Sequence, residues 1–314
     1  MRFARILTVL AASLSAAAAA TAQEPFVFSP QWTAQAQFAG YYAALEMGFY
    51  HEEGLDVRIV HPFHFQTPEQ TLISGECDAA TIQLMQAMEL VDSGTPLVNI
   101  LQTSMNNATV IVSRRGNPLE RRGARVGTWK AGFNQIAFCL DKAERLNYNW
   151  VRVAANVNLF VQGAIDATLA MSYNEYNLLL QAGAEITEEN VYRFRDHGYN
   201  IQDDGVYMTL AAYRRHKDRA ERFARASRRG WEWVADHPRE ALALVREYVS
   251  KNVVATNEVL QKLMLDEILD LQLDPDSGQR SFTLRPDMVR QASGMMLEAG
   301  LISRPVEYEE LIPR

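Results

Sequence analysis

The sequence has few cysteines, only Cys77 and Cys139 among 314 residues. Two distant thiols fall short of the closely spaced sets that a zinc cluster or a disulfide scaffold needs, so we expect two isolated, buried thiols. Basic residues are outnumbered as well, since 31 Lys and Arg stand against 38 Asp and Glu and the formal net charge is −7. This balance argues against a nucleic-acid partner, because phosphate backbones select a basic surface.

The familiar catalytic signatures are also missing. The chain holds no G-x-S-x-G, no H-E-x-x-H and no phosphate loop ending in Gly-Lys-Ser/Thr. His61 and His64 are three residues apart and could offer two imidazoles to a metal, but Pro62 interrupts a helical face and no nearby Cys or carboxylate completes a set. We therefore expect no metal, no cofactor and no enzymatic activity, and no effect of His61→Ala on ligand binding.

Only one long apolar run is present, and it opens the chain. Arg2 and Arg5 precede an apolar, Ala-rich stretch, and Ala20-Thr21-Ala22 supplies small residues before Gln23. This pattern predicts a cleavable signal peptide over residues 1–22. No cysteine follows the cleavage point and no later run approaches the ~20 apolar residues of a spanning helix, so we expect a soluble protein outside the cytoplasm.

Strand-like and helix-like segments alternate through the first two-thirds of the mature chain, which is typical of an α/β protein with mainly parallel sheets. A single helix is predicted from Ala34 to Tyr50 by its three- and four-residue apolar spacing. The pattern restarts after the turn at 114–118 and becomes purely helical after Tyr213. We expect one lobe from 23–110 and 207–314, a second lobe from 111–206, and a hinge at two crossing strands near Thr109 and Val206, with the ligand in the cleft.

The remaining candidate binding residues have aromatic or amide side chains. They lie in segments that follow predicted strands, where α/β folds place their ligand crevice. One cluster lies at the start of the first lobe, another in the loop after the strand ending at Trp129, and the tightest is Met171-Ser172-Tyr173-Asn174-Glu175-Tyr176-Asn177. The last segment also reads as an ordinary helix start, with Asn174 or Ser172 as cap. The predicted ligand-binding residues are Trp32, Gln37, Phe38, Tyr41, Gln83, Ser104, Asn107, Trp129, Tyr173, Asn174 and Glu175.

Several of these segments resemble one family. Trp32, the run Gln37-Phe38-Ala39-Gly40-Tyr41-Tyr42-Ala43-Ala44 and the run Gly48-Phe49-Tyr50-His51-Glu52-Glu53-Gly54 look like the opening of solute-binding proteins of ABC importers in the thiamine-pyrimidine-precursor group. Met171-Ser172-Tyr173-Asn174-Glu175-Tyr176 is similar to their second lobe, and Gly230-Trp231 with His237-Pro238-Arg239-Glu240-Ala241 to their helical tail. The first segment is shared with sulfonate- and nitrate-binding relatives, whereas the Tyr-Asn-Glu-Tyr segment points to the pyrimidine branch.

The resemblance implies a type II periplasmic binding protein, with two α/β lobes joined by two crossing strands and a helical C-terminal tail. It implies a monomer in the periplasm that carries a flat nitrogen heterocycle to an ABC permease in the inner membrane. Trp32 with Tyr41 or Phe38 would stack on the ring. Asn174 and Glu175 would bind the aminopyrimidine edge, where a charge-assisted hydrogen bond discriminates well.

Three alternatives stay open at the level of sequence. The same fold could bind sulfonate- or nitrate-type solutes, or could pass its ligand-bound form to a membrane sensor. Fungal pyrimidine synthases also share the fold, but they consume a histidine of their own on the helix after the third strand and carry a cysteine-rich motif. The matching stretch here, Ile82 to Leu90, contains no His or Lys, and the cysteine-rich motif is missing.

Overall fold

A computed structural model describes residues 23–62, 67–129, 132–154 and 156–313. The predicted signal peptide at 1–22, His64 and Lys130 lie outside these ranges. Within them the chain forms two five-stranded sheets, each covered by helices. None of the described helices is both long and apolar enough to cross a bilayer.

The first sheet combines the N-terminal strands with one strand that returns late in the chain. Its order is β2-β1-β3-β10-β4. Strand β1 pairs in parallel with β2 and β3, whereas β10 runs antiparallel between β3 and β4. The strands are β1 (Glu24–Ser29), β2 (Leu55–Ile59), β3 (Ala79–Gln83), β4 (Leu97–Gln102) and β10 (Asp204–Thr209).

The second sheet repeats this plan, with order β7-β6-β8-β5-β9. Strand β6 pairs in parallel with β7 and β8, and β5 is antiparallel to β8 and β9. Both sheets are therefore mixed rather than mainly parallel. In each sheet, the strand that the chain enters from the other sheet, β10 in the first and β5 in the second, is antiparallel to both of its neighbours. The strands are β5 (Thr109–Ser113), β6 (Arg125–Trp129), β7 (Asn149–Val153), β8 (Ala167–Met171) and β9 (Val191–Arg193), of which β9 had not been predicted.

Helices connect the strands and then form a continuous tail. Those between strands are α1 (Ala39–Glu46), α2 (Phe49–Glu52), α3 (Pro68–Ser74), α4 (Leu84–Asp92), α5 (Gln135–Glu144), α6 (Asn158–Val161) and α7 (Glu175–Gln181). The tail is α8 (Leu210–Arg215), α9 (Lys217–Asp236), α10 (Pro238–Lys251), α11 (Glu258–Leu271), α12 (Pro286–Ala299) and α13 (Tyr308–Leu311).

The helix predicted over Ala34 to Tyr50 is broken in the structure. It consists of a 3₁₀ turn at Ala36–Phe38, then α1, then α2. Gly48 separates the two α-helices with φ of 78°, a left-handed backbone that glycine adopts without steric cost. The apolar spacing continues across this break because both helices pack on the same core, and the single-helix prediction was wrong for that reason.

Two segments carry the chain between the sheets. Residues 103–108 connect β4 to β5, and residues 194–203 connect β9 to β10. Asn106 and Asn200 join these segments through a hydrogen bond of 2.9 Å between their side-chain amides. The lobe limits predicted at 110 and 206 fall inside β5 and β10, and the division of the chain into lobes stays a prediction.

Candidate functional site

A narrow pocket, partly open to solvent, lies where residues of the first sheet's connections face residues of the second. Its walls are rings, amides and one carboxylate. The lining consists of Gln31, Trp32, Gln35, Gln37, Trp129, Phe133, Met171, Tyr173, Asn174 and Glu175.

Three rings from the two sides meet in this pocket. Trp32 follows β1, and its ring lies 6.0 Å from that of Phe133 at an interplanar angle of 73°. Trp129, at the end of β6, lies 6.4 Å from Phe133 at 79°. Aromatic faces held in this edge-to-face manner leave surfaces on which a flat ligand can stack.

His61 lies behind Trp32 and is part of its support. Its Nδ1 is 2.6 Å from the main-chain oxygen of Trp32, and its Nε2 is 2.9 Å from the hydroxyl of Tyr42. A carbonyl only accepts hydrogen bonds, so Nδ1 carries the proton and Nε2 accepts from Tyr42. Burial lowers the pKa of His61 to about 4, which keeps this neutral tautomer in place. His61 therefore contacts the main chain of Trp32, a contact that the expected lack of effect of His61→Ala did not take into account.

Glu175 begins α7 and is 8% exposed. Oε1 accepts from Trp129 Nε1 at 3.1 Å and from Asn174 Nδ2 at 3.2 Å, and Oε2 accepts from the main-chain N–H of Met171 at 3.0 Å. Burial raises the pKa of this carboxyl above its usual range, although the three donors oppose that shift. Glu175 therefore holds Trp129 in place while it lines the pocket.

A second carboxylate, Asp204 at the start of β10, lies behind the opposite wall. Its Oδ1 accepts from Gln31 Nε2 at 2.7 Å and its Oδ2 from Gln37 Nε2 at 2.6 Å. Gln37 Oε1 in turn accepts from Gln35 Nε2 at 2.6 Å. Burial raises the pKa of Asp204, while the two amide donors favour its ionised form. The sequence analysis named neither Gln31 nor Asp204 as a site residue.

A further small cavity adjoins the pocket, and the two share Gln37 and Tyr173 in their linings. Ser104, Asp203 and Asp204 line it from the crossing segments and β10. Burial, and then the neighbouring Asp204, raise the pKa of Asp203 well above its usual range.

The predicted residues fall into three groups. Those brought together in the pocket are Trp32, Gln37, Trp129, Tyr173, Asn174 and Glu175, while Ser104 lines the adjoining cavity. Phe38 and Tyr41 are 1% exposed and belong to the core. Tyr41 packs on Phe28 and Trp231, so burial by α9 and not ligand stacking accounts for it.

Gln83 and Asn107 form the third group, which lies outside both linings. Gln83 immediately precedes α4, and its main-chain N–H donates to Gln86 Oε1 at 3.4 Å. Asn107 accepts from the main-chain N–H of Thr109 at 2.9 Å, which orders the entry to β5. Among the described residues, no three His, Cys, Asp or Glu are placed to hold a metal ion, and both cysteines are buried free thiols.

The sequence is similar to proteins of one family. Residues 35–241 match the family described as NMT1/THI5 like. A formylaminopyrimidine-binding protein of Halalkalibacterium halodurans is 27% identical over 241 residues, which cover 72% of this chain and 68% of the relative.

Solved structures share the fold at lower identity. A zinc-bound ligand-binding component of an ABC-type import system from Staphylococcus aureus is 10% identical with a TM-score of 0.70, over 93% of this chain and 97% of that one. The periplasmic aliphatic sulphonate-binding protein of Escherichia coli is 12% identical with a TM-score of 0.61, over 93% and 92%. The predicted fold, two α/β lobes of the periplasmic binding protein type with a helical tail, is confirmed.

Proposed function

The chain belongs to the NMT1/THI5-like family, and we propose that it is the periplasmic solute-binding receptor of an ABC importer, with a flat nitrogen heterocycle as ligand. A pyrimidine precursor of thiamine is the ligand class that we favour. The observation that carries this proposal is the combination, in one pocket, of Trp32, Trp129 and Phe133 with the buried carboxylate of Glu175.

The chemistry of the lining supports a ring with N–H groups. Aromatic faces contribute stacking, and buried acceptors favour a ligand that donates hydrogen bonds. The relative named as a formylaminopyrimidine-binding protein supports the same ligand class.

The charge of the site favours this ligand class over the sulfonate and nitrate alternatives. Glu175 lines the pocket, and Asp204 accepts a hydrogen bond from the side-chain amide of the lining residue Gln31. The lining contributed by the described residues includes no Lys or Arg. An anion entering such a site would lose its hydration and gain no counter-charge. Lys130 lies outside the described residues, so the panel below includes anionic solutes.

A binding role without catalysis agrees with the reactive groups of the chain. Burial raises the pKa of the Cys77 thiol to about 12, and that of the Cys139 thiol to about 12, so neither is a ready nucleophile. Helix α4 contains no His, the residue that the resembling pyrimidine synthases consume on the helix after the third strand. We further propose that the mature chain starts near Gln23 and acts as a monomer with an inner-membrane permease.

A thermal-shift panel on residues 23–314 tests the proposal. We expect aminopyrimidines, including formylaminopyrimidine, to raise the melting temperature, and sulfonates, nitrate, riboflavin and amino acids to leave it unchanged. A ligand at ~100 times its Kd should stabilise the fold by about 2.7 kcal/mol. If only sulfonates or nitrate stabilise the protein, the pyrimidine assignment is wrong.

Two variants test whether Trp32 and Glu175 form the ligand site. Trp32→Ala should weaken every planar ligand, and Glu175→Gln should weaken a basic aminopyrimidine more than a neutral ring, about tenfold in calorimetric Kd for a charge-assisted bond. Glu188→Gln, at an exposed carboxyl, is the matched control. Unchanged affinity in both site variants would move the site elsewhere.

A further inference from the structure

We propose that Gln31 reads an N–H group on the ligand, and that Asp204 determines which end of the Gln31 amide faces the pocket. The inference rests on the proposed function and deepens it, because it specifies which edge chemistry the ligand must present. It makes Gln31 a specificity-determining residue and Asp204 a positioning residue.

Gln31 is held by two hydrogen bonds, and the oxygen of its side-chain amide is left without a donor. Its main-chain N–H donates to Thr81 Oγ1 at 2.7 Å, and its Nε2 donates to Asp204 Oδ1 at 2.7 Å. The residue is 5% exposed and lines the pocket. Its Oε1 is buried and finds no donor among the residues that the structure describes. A buried acceptor without a donor is costly, so a donor from the ligand is the expected partner.

The orientation of this amide follows from its neighbours. An ionised carboxylate accepts only, so the nitrogen of Gln31 must face Asp204 and the oxygen must face away from it. Gln37 binds the other carboxylate oxygen, and its own oxygen is occupied by Gln35. The row Gln35, Gln37, Asp204, Gln31 is thus oriented by its hydrogen bonds, and Gln31 Oε1 is the buried acceptor in it that lacks a donor.

The opposite wall offers acceptors too. Both oxygens of Glu175 already receive donors from the protein, so any further hydrogen bond there also requires a donor from the ligand. A planar ring with an amino group on the edge that faces Gln31 satisfies this site. The same ring with an oxo group in that position would place two acceptors against each other.

The test compares formylaminopyrimidine with its analogue in which oxygen replaces the ring amino group, by calorimetry. The wild-type protein should bind the amino compound at least tenfold more tightly than the oxo compound. Gln31→Met keeps the length of the side chain and removes the acceptor. It should cost about tenfold for the amino compound and leave little preference between the two. Gln162→Met, at an exposed glutamine, is the control and should match the wild-type protein.

Asp204→Asn provides a readout that loss of structure would not produce. The introduced amide offers one nitrogen and one oxygen. Gln37 cannot turn without losing Gln35, so the nitrogen should face Gln31 and turn its amide. Gln31 would then present N–H to the pocket, and the preference should shift by at least tenfold towards the oxo compound. Asp196→Asn, at an exposed position, is the control.

The outcomes separate the two proposals. Binding of neither compound by the wild-type protein would overturn the proposed function and this inference together. Equal binding of both compounds by the wild-type protein, or an unchanged preference in folded Gln31→Met, would overturn the inference alone. If Asp204→Asn fails to fold, as judged by circular dichroism, Gln31→Met decides the matter.

Discussion

At the scale of single residues, the position of Trp32 depends on a side chain that never reaches the pocket. Tyr42 donates to His61 and His61 donates to the carbonyl of Trp32. The imidazole also packs beside the ring of Phe38 at 5.5 Å between centroids. A neutral, buried histidine thus connects the core residues Tyr42 and Phe38 to the main chain of Trp32 at the pocket.

Replacing His61 by alanine should therefore destabilise the protein and weaken ligand binding. The carbonyl of Trp32 and the hydroxyl of Tyr42 lose their partner, which costs about 1–3 kcal/mol near neutral pH. His51→Ala, at an exposed histidine, should change the free energy of unfolding by less than about 0.5 kcal/mol. Urea unfolding of both variants measures the difference.

The same variant has a defined pH dependence. Because the folded pKa of His61 is about 4, below the usual 6.5, the unfolded chain binds this proton more readily. The stability that the neutral imidazole contributes is complete above the unfolded pKa and is lost as the pH falls towards 4. The advantage of the wild-type protein over His61→Ala should shrink by about 2 kcal/mol between pH ~7.5 and pH ~5. A difference that stays constant over this range would contradict a neutral, buried His61.

At the scale of elements, α1 and α9 pack closely against each other. Gly230 on α9 faces the main chain of α1, where an added Cβ would overlap the carbonyl oxygen of Gly40 and lie 2.8 Å from Ala44 Cβ. Gly40 is closed in by the ring of Trp231 in the same way. Two glycines therefore allow the tail helix to lie directly on the helix that follows the site residues Gln31 to Gln37.

Gly230→Ala should separate these helices and destabilise the protein by about 2–3 kcal/mol or more, because the obstacle is backbone. Gly294→Ala in α12 is the matched control, since no atom lies within 4 Å of its added Cβ. That control should instead stabilise the protein by about 0.5–1 kcal/mol, through helix propensity. Similar melting temperatures for the two variants would show that α1 and α9 do not pack this closely.

At the scale of the whole molecule, the tail connects both halves. Gln261 of α11 accepts from the main-chain N–H of Ala36, on the first side of the pocket, at 2.7 Å. Six residues later on the same helix, Glu267 accepts from Ser172 Oγ at 2.8 Å and from Arg195 at 3.4 Å, on the second side. Helix α12 likewise packs against both α4 and α5. The tail therefore stabilises this arrangement of the two halves around the pocket.

Glu267→Ala should weaken the contact of α11 with the second side of the pocket and speed the release of a bound aminopyrimidine. Loss of one partly exposed hydrogen-bonded group corresponds to about a 3–10-fold faster dissociation. Asp266→Ala is the control: it lies on the same helix, but its partner is Lys262 of that helix. Stopped-flow release rates that are equal for the two variants would refute a role for Glu267 in holding the halves together.

The amphipathic and glycine patterns predicted much of the fold. The helical pattern predicted after Tyr213 is observed as α8 to α13, because this part of the chain has clear local starts and stops such as Pro286 and Gly300. The family resemblance is likewise confirmed. Strand β9 was missed because it has only three residues and is defined by pairing with β5.

The sequence alone was sufficient to indicate the two-lobed fold, the binding role that the resemblance implies and the segments that line the pocket, since these depend on local periodicity and on motifs contiguous in the chain. Only the tertiary structure distinguished Trp32 from Phe38 and Tyr41, because all three share one aromatic segment and differ only in what packs over them. It alone also placed Asp204 beside Gln31, 173 residues away. A contact of that range is created by the return of β10 into the first sheet, and no local pattern in the sequence records it.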